Sequence, residues 1–505
     1  MVNRNFRMIV GVFLMLILVL SIAGFRLQTT RHVIAAQAKP SHHYGLQNTF
    51  AKRSGVMASA ERDGQISGLQ QAFAAADTDI YIDEGADSNA IVIPDRARDI
   101  RKFPYPYRAM FAFASDIDET TPREFAVYHR FLNTKEMTPA GPGLGLDVGD
   151  TFWVYMADDM NLKVDMNGEG LDSVMTVFKL TDPNTLKNGN LIKHYADAGW
   201  IDGIHSFGDF SRKNPSHTLF TRGLAQAAWD VMNRLGIHPS YWINHGNEAN
   251  RQNFGGYNPI TFLKYQAGDD PKSPYYHTDL TVKNGIRFVW NSLGESQFGQ
   301  DSPIFPITLR DGQKIWGFHR YTYDIIKGQI KWMWSADGDL YQALTKERLD
   351  QLMAKQQYCI YAEHFGGTKT PFTFYYPADV GALRMLADYH HNGKILVART
   401  SRLLNYSVAQ QFVQYKMKKK NGKMVIFLKS IQDPIFGNQE ITIDKVRGLT
   451  FYVEDPKNTI VFVNKERVPA DDLQLNPPDE TGRASIGIKW FPADTTDYTK
   501  TAPAN

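Results

Sequence analysis

Cysteine is almost missing: the chain has one, Cys359, inside the apolar run Tyr358–Ala362. One thiol supports neither a disulfide framework nor a Cys-based zinc cluster, so it reads as a small buried apolar side chain. An excess of charge of either sign is missing too. Against 53 Asp and Glu stand 56 Lys and Arg, a net charge of +3 over 505 residues, with no basic run beyond Lys416–Lys420. That argues against nucleic acid as a partner. The one basic run leads into Asn421-Gly422, a favoured hairpin pair, and reads as a solvated hairpin tip. No period of 20–50 residues recurs, so the chain is not a solenoid.

Long apolar runs are absent with one exception. Met8–Gly24 is apolar over 17 residues and follows Arg4 and Arg7. It is near the lower limit for spanning a bilayer and also fits the apolar region of a signal peptide. Residues 1–25 are therefore expected to be a signal peptide or signal anchor. Either one exports the rest, so the protein is expected to be extracytoplasmic, periplasmic or at the cell surface, and anchored in the membrane by its N-terminus. Residues 26–100 are mixed and weakly periodic, as expected of a stalk or linker.

What the chain has is an ordinary globular balance, 43% hydrophobic and 22% charged, rich in aromatics at 12%. From residue 101 to 405 short apolar runs alternate with helical segments. Strands are expected at Met110–Ala114, Thr151–Met156, Trp200–His205, Tyr241–His245, Ile286–Trp290, Tyr358–His364 and Ile395–Ala398. Helices are expected at Leu191–Ala198, Leu219–Leu235, Lys346–Ala354 and Val380–His390. This alternation predicts an α/β fold with a parallel sheet, most economically a β/α barrel. Residues 406–498 hold only short strands divided by turn residues and predict a C-terminal all-β, sandwich-like domain.

The chemistry gathers where the expected strands end. The first runs into Ser115-Asp116-Ile117-Asp118-Glu119, two carboxylates two residues apart that share a side if extended geometry persists. An Asx turn and helix N-cap would account for the same residues. The next strand ends in His205-Ser206-Phe207-Gly208-Asp209, another in His245-Gly246-Asn247-Glu248, and a later one in Glu363-His364-Phe365-Gly366-Gly367. One such histidine is ordinarily a satisfied surface residue. Four strand-end clusters meeting at one face of a barrel are a candidate site. Carboxylates and imidazoles without thiolate suit a divalent ion with an open position, zinc by default, with manganese, iron or cobalt as alternatives. Such an ion lowers the pKa of bound water, while one carboxylate takes a proton and a second acid serves the leaving group.

These motifs, in this order over about residues 105–405, resemble the polysaccharide deacetylases, the family-four carbohydrate esterases, which fold as a distorted β/α barrel. The resemblance implies metal-dependent hydrolysis of N-acetyl or other acyl groups on an extracytoplasmic polysaccharide. It implies Asp116 as base and His364 as acid, with Asp118, His205 and Asp209 on the metal. Asp209 stands where that family has its second histidine, and Asp116 and Asp118 are separated by one inserted residue. The nearest match to the family's arginine motif is Arg251-Gln252-Asn253-Phe254-Gly255, beyond its strand. Its Asp-Trp motif is approached only by Trp290-Asn291. His245 has no place in that pattern and is left as a fourth ligand, a substrate contact or the support of a carboxylate; Arg251 and Glu363 are placed as substrate contacts or supports of the ligands. Trp316, Phe318, Tyr321, Tyr323, Trp332 and Trp334 read as core or as faces for sugar rings. The competing readings are a metal-independent glycoside hydrolase with paired carboxylates and an inactive carbohydrate-binding barrel.

Overall fold

The first expected strand runs from Ala109 to Ser115, with all seven residues buried. Its alternation serves two cores at once. Phe111 and Phe113 enter one apolar cluster, while Met110, Ala112 and Ala114 enter another. Burial on both faces is the mark of a parallel strand, and its neighbours Tyr358–Glu363 and Ile395–Val397 are both parallel to it. The computed structural model describes residues 91–92, 95–159, 173–255, 266–290, 296–366 and 375–503. The apolar run Met8–Gly24 and the expected stalk up to residue 90 lie outside the described residues, as do Asn291 and Gly367.

A second sheet carries Ile204–His205, Tyr241–Ile243, Phe288–Trp290 and Lys314–Phe318 in parallel, with Ile304–Thr308 antiparallel at its edge. Single parallel bridges link the two sheets: Ser115 to Asp150, Asp150 to Ile201, and Tyr321 to Tyr361. The strand expected over Thr151–Met156 shortens to Tyr155–Met156. The amides of Val154 and Tyr155 both donate to the Phe207 carbonyl, so this stretch is bound to the loop after His205.

The helices form where the apolar spacing and the caps agree. Pro122–Asn133 starts on a capping box in which Thr121 and Glu124 bond each other's backbone, an arrangement worth about 1 kcal/mol. Arg222–Leu235 stops at Gly236 in the left-handed region at φ 70°. Lys346–Ala354 and Pro377–His391 match their expected positions within a few residues.

One expectation about residue 406 needs correction. The first strand begins at Val413, and a helix, Thr400–Phe412, runs past residue 406, where only short strands were expected. Its alternating Tyr406 and Val408 fit a strand, but Leu403, Leu404, Val408 and Ala409 form a helical stripe that enters a core shared with Met110, Ile426 and Ile486. Tertiary burial outweighs the local alternation. Beyond it the chain is strand-rich, as expected. One sheet holds Val413–Lys420, Lys423–Asp433, Gly437–Glu440, Thr459–Val463 and Glu466–Arg467, and a smaller one holds Thr450–Tyr452, Leu473–Asn476 and Ser485–Ile488. Asn421 and Gly422, both at positive φ, turn the expected hairpin. The described residues belong to one unit, Ala86–Asn505.

Candidate metal and acid–base site

The backbone leaves the strand at Ser115, where the Asp116 amide donates to the Glu363 carbonyl at 2.8 Å. Asp116 and Asp118 still reach one side. His364 Nε2 lies 3.5 Å from one Asp116 oxygen and 3.6 Å from Asp118 Oδ2. The helix cap falls to Thr121, which frees the two aspartates of the capping role.

Asp118 is the shared member of two groups. In the first, with His205 and His245, the ligand atoms lie within 4.8 Å of one another. Asp118 is 3.6 Å from His205 Nδ1 and 3.4 Å from His245 Nδ1. Asp118 Oδ1 and His205 Nδ1 are buried without a hydrogen-bond partner, a costly state unless something else engages them. In the second group, with Asp116 and His364, the ligand atoms are equally close. These Asp/His groups can hold a metal ion.

The two groups differ in how their charge is met. Asp116 is gripped by Arg320, whose guanidinium donates to both carboxylate oxygens at 3.0 and 2.8 Å and lies 4.4 Å from the Trp290 ring centre. Burial raises the Asp116 pKa, but Arg320 and the nearby histidines hold it well below the usual carboxylate range. Burial lowers the His364 pKa, yet Asp116 and Asp118 push it up to about 9. Its ring stacks on Trp334 at 4.1 Å between centres.

Asp209 is placed one step back from where the sequence suggested. Its carboxylate faces His245 Nε2 at 3.2 Å and accepts from the Ser211 amide at 2.8 Å. The third member beside Asp118 and His205 is therefore His245, from the next strand, with Asp209 behind it. Opposing burial, Asp209 and Asp118 push the His245 pKa up to about 9. Burial dominates at His205 and lowers it.

The loop that carries these groups is held from beneath. Gly208 is at φ 143°, and a Cβ there would collide with the Tyr155 carbonyl. Gln252 Nε2 donates to the Gly208 carbonyl at 2.9 Å, and Asn250 Oδ1 accepts from the Phe210 amide at 2.9 Å. The Asn253 side chain receives the His245 amide at 3.1 Å. Arg251 sits in this turn, its amide donating to the Ala249 carbonyl, while the guanidinium on Asp116 is that of Arg320. Glu363 supports from the other side. It accepts from the Ser335 amide, the Ser335 hydroxyl and the His364 amide, and burial pushes its pKa up to about 7. Glu119, at φ 56°, is likewise pushed up to about 7 by burial and then by Asp118.

Arg320 and the stacking of Trp334 on His364 escaped the sequence reading. Arg320 was open to the same logic, since it follows the strand Lys314–Phe318 by two residues. Among the aromatics singled out, Trp316, Phe318 and Tyr321 are buried core. Gly366 packs against Thr120. No protein-family model and no curated protein matches the chain. The class of site rests on its geometry: a carboxylate and two imidazoles facing one another, beside an arginine-held carboxylate and a third imidazole.

Proposed function

We propose that the protein is a metal-dependent hydrolase that removes N-acetyl or other acyl groups from an extracytoplasmic polysaccharide, in the manner of the polysaccharide deacetylases it resembles. The observation that carries this reading is the split around Asp118. On one side, Arg320 occupies both oxygens of Asp116, which favours an ionised carboxylate held in place over a metal ligand. On the other, Asp118, His205 and His245 converge: Asp118 Oδ1 and His205 Nδ1 are buried without a hydrogen-bond partner, and His245 Nδ1 lies 3.2 Å from His205 Nε2.

Asp118, His205 and His245 would hold the ion, and Asp209 would orient His245 through its second nitrogen, the usual support for a ligating imidazole. Zinc suits this donor set, with manganese, iron or cobalt as alternatives. When bound, the ion supplies Lewis acidity and lowers the pKa of water at the site. Asp116, kept anionic by Arg320, accepts the proton from the attacking water. His364, kept charged by two carboxylates and held flat by Trp334, donates a proton to the departing amine. Glu363 fixes the backbone from which His364 projects. The strands that bring these groups together fit a distorted β/α barrel, with the bridges at Asp150 and Tyr361 joining its two sheets. The expected export and N-terminal anchoring are compatible with a polysaccharide substrate outside the cytoplasm.

A glycosidase that used Asp116 as its general acid fits less well, because that acid must be protonated while Asp116 is held ionised. The test is metal analysis of the purified protein with acetate release from N-acetylated oligosaccharides, before and after chelation. About one ion per chain and activity lost on chelation are expected; activity that survives a strong chelator would overturn the proposal.

A further inference from the structure

The outer face of the C-terminal sheet has no part in the site and carries a pattern of its own. In Val413–Lys420, Val413, Tyr415 and Met417 enter the core, so alternation turns Lys416, Lys418 and Lys420 the other way. Strand register extends this face. Lys420 lies opposite Lys423, Lys418 opposite Val425, and Lys416 opposite Phe427. Val425 and Phe427 are beside Ile460 and Phe462, and Phe462 is beside Arg467. One row across four strands therefore reads Lys416, Phe427, Phe462, Arg467. The two rings stack at 5.1 Å with 14° between their planes, and both are half-buried. Glu440, opposite Ser430, lies at the end of the face away from the hairpin tip. Glu454 is paired at 3.0 Å with Lys419, which has the opposite alternation.

We propose that this face docks on an anionic lipid surface, with Lys416, Lys418, Lys420, Lys423 and Arg467 on the headgroup phosphates and the Phe427–Phe462 pair at the acyl boundary. Three observations favour lipid over an acidic glycan. The rings turn one flat face each to the other, which leaves a pyranose less ring surface to stack on. The centre of the face, Val425, Phe427, Ile460 and Phe462, has no side-chain group to read sugar hydroxyls. The short strand Ile91–Val92 pairs with Lys418 and Met417 at the edge of this same sheet, and the sequence's one long apolar run precedes it in the chain. Cations framing an apolar centre suit an anionic membrane, where each adds roughly fivefold to binding at modest salt. The inference stands apart from the hydrolase proposal.

The test is co-sedimentation of the full chain with vesicles of phosphatidylcholine, alone or with about one third phosphatidylglycerol. The wild type is expected to gain at least about tenfold on the anionic vesicles at low salt, and to lose most of that gain at high salt. The variant Lys416→Gln/Lys418→Gln/Lys420→Gln/Lys423→Gln should keep its binding to phosphatidylcholine, which reports the N-terminal segment, and lose the gain to within about threefold. If that variant fails to fold, Lys420→Gln/Lys423→Gln, at the exposed tip, should lose about half of it on a logarithmic scale. A folded variant that keeps the wild-type gain would overturn the proposal. So would soluble polygalacturonate binding as tightly as the vesicles and depending on the same lysines, which would assign the face to acidic glycans.

Discussion

The loops beyond the α/β strands and the outer face of the C-terminal sheet both concentrate charge, under opposite physical conditions. At the first, Asp116, His205, Asp209 and Glu363 are each less than 8% exposed, so every charge has lost water and must be met by a counter-charge, a proton or an ion. At the second, Lys420 and Lys423 are exposed and Lys416 and Lys418 half-buried, so they keep much of their water, contribute little to folding and remain available to a partner. Buried charge therefore identifies a site by what it needs. Exposed charge identifies one only when its arrangement is unusual.

The largest expected effect breaks the first region at its hub. Asp118→Asn should reduce metal content to background and acetate release by at least about a thousandfold; full metal content by elemental analysis would contradict the ligand assignment. Next, Arg320→Met leaves the Asp116 charge buried and uncompensated. It should cost about 3–5 kcal/mol in denaturant unfolding and move the acid limb of the activity profile to higher pH, because Asp116 no longer has the cation that depresses its pKa. An unchanged acid limb would remove Arg320 from this role. Asp209→Asn acts through His245 and should weaken metal binding by about 10–100-fold while leaving the fold intact; a loss as complete as that of Asp118→Asn would make Asp209 a direct ligand.

A pH titration sharpens the same contrast without mutation. His245 is pushed up to about 9, so below that pH a proton competes with the ion. Metal affinity should rise as pH increases from 6 toward about 9, with a proton released on binding, and His245→Asn should flatten the slope. Calorimetry in two buffers reads the proton directly. The smallest effect belongs to the second region: Lys420→Gln should change stability by less than about 0.5 kcal/mol, and a larger loss would show that the tip is structural.

Much of the frame was legible in the chain. Helices with a capped start and a glycine stop, such as Arg222–Leu235, are written locally, as is the hairpin at Asn421-Gly422. The helix through residue 406 was not, because Tyr406 and Val408 fit two periodicities and only the shared core chooses between them. In the site, Asp116, Asp118, His205 and His364 could be picked out because residue type and strand-end position coincide. The arginine could not be chosen between Arg251 and Arg320 by order along the chain.

Sequence alone determined which chemical groups this protein has near its strand ends: carboxylates and imidazoles, no thiolate pair, and lysines in alternation near one turn. Tertiary structure decided which of them meet. His245 lies beside Asp118 and His205, with Asp209 behind it, because partnership is set by distances of 3–4 Å between residues as far apart in the chain as Asp118 and His245. Local propensity acts over a few residues and carries no information about such encounters; the packing of one strand end against another does.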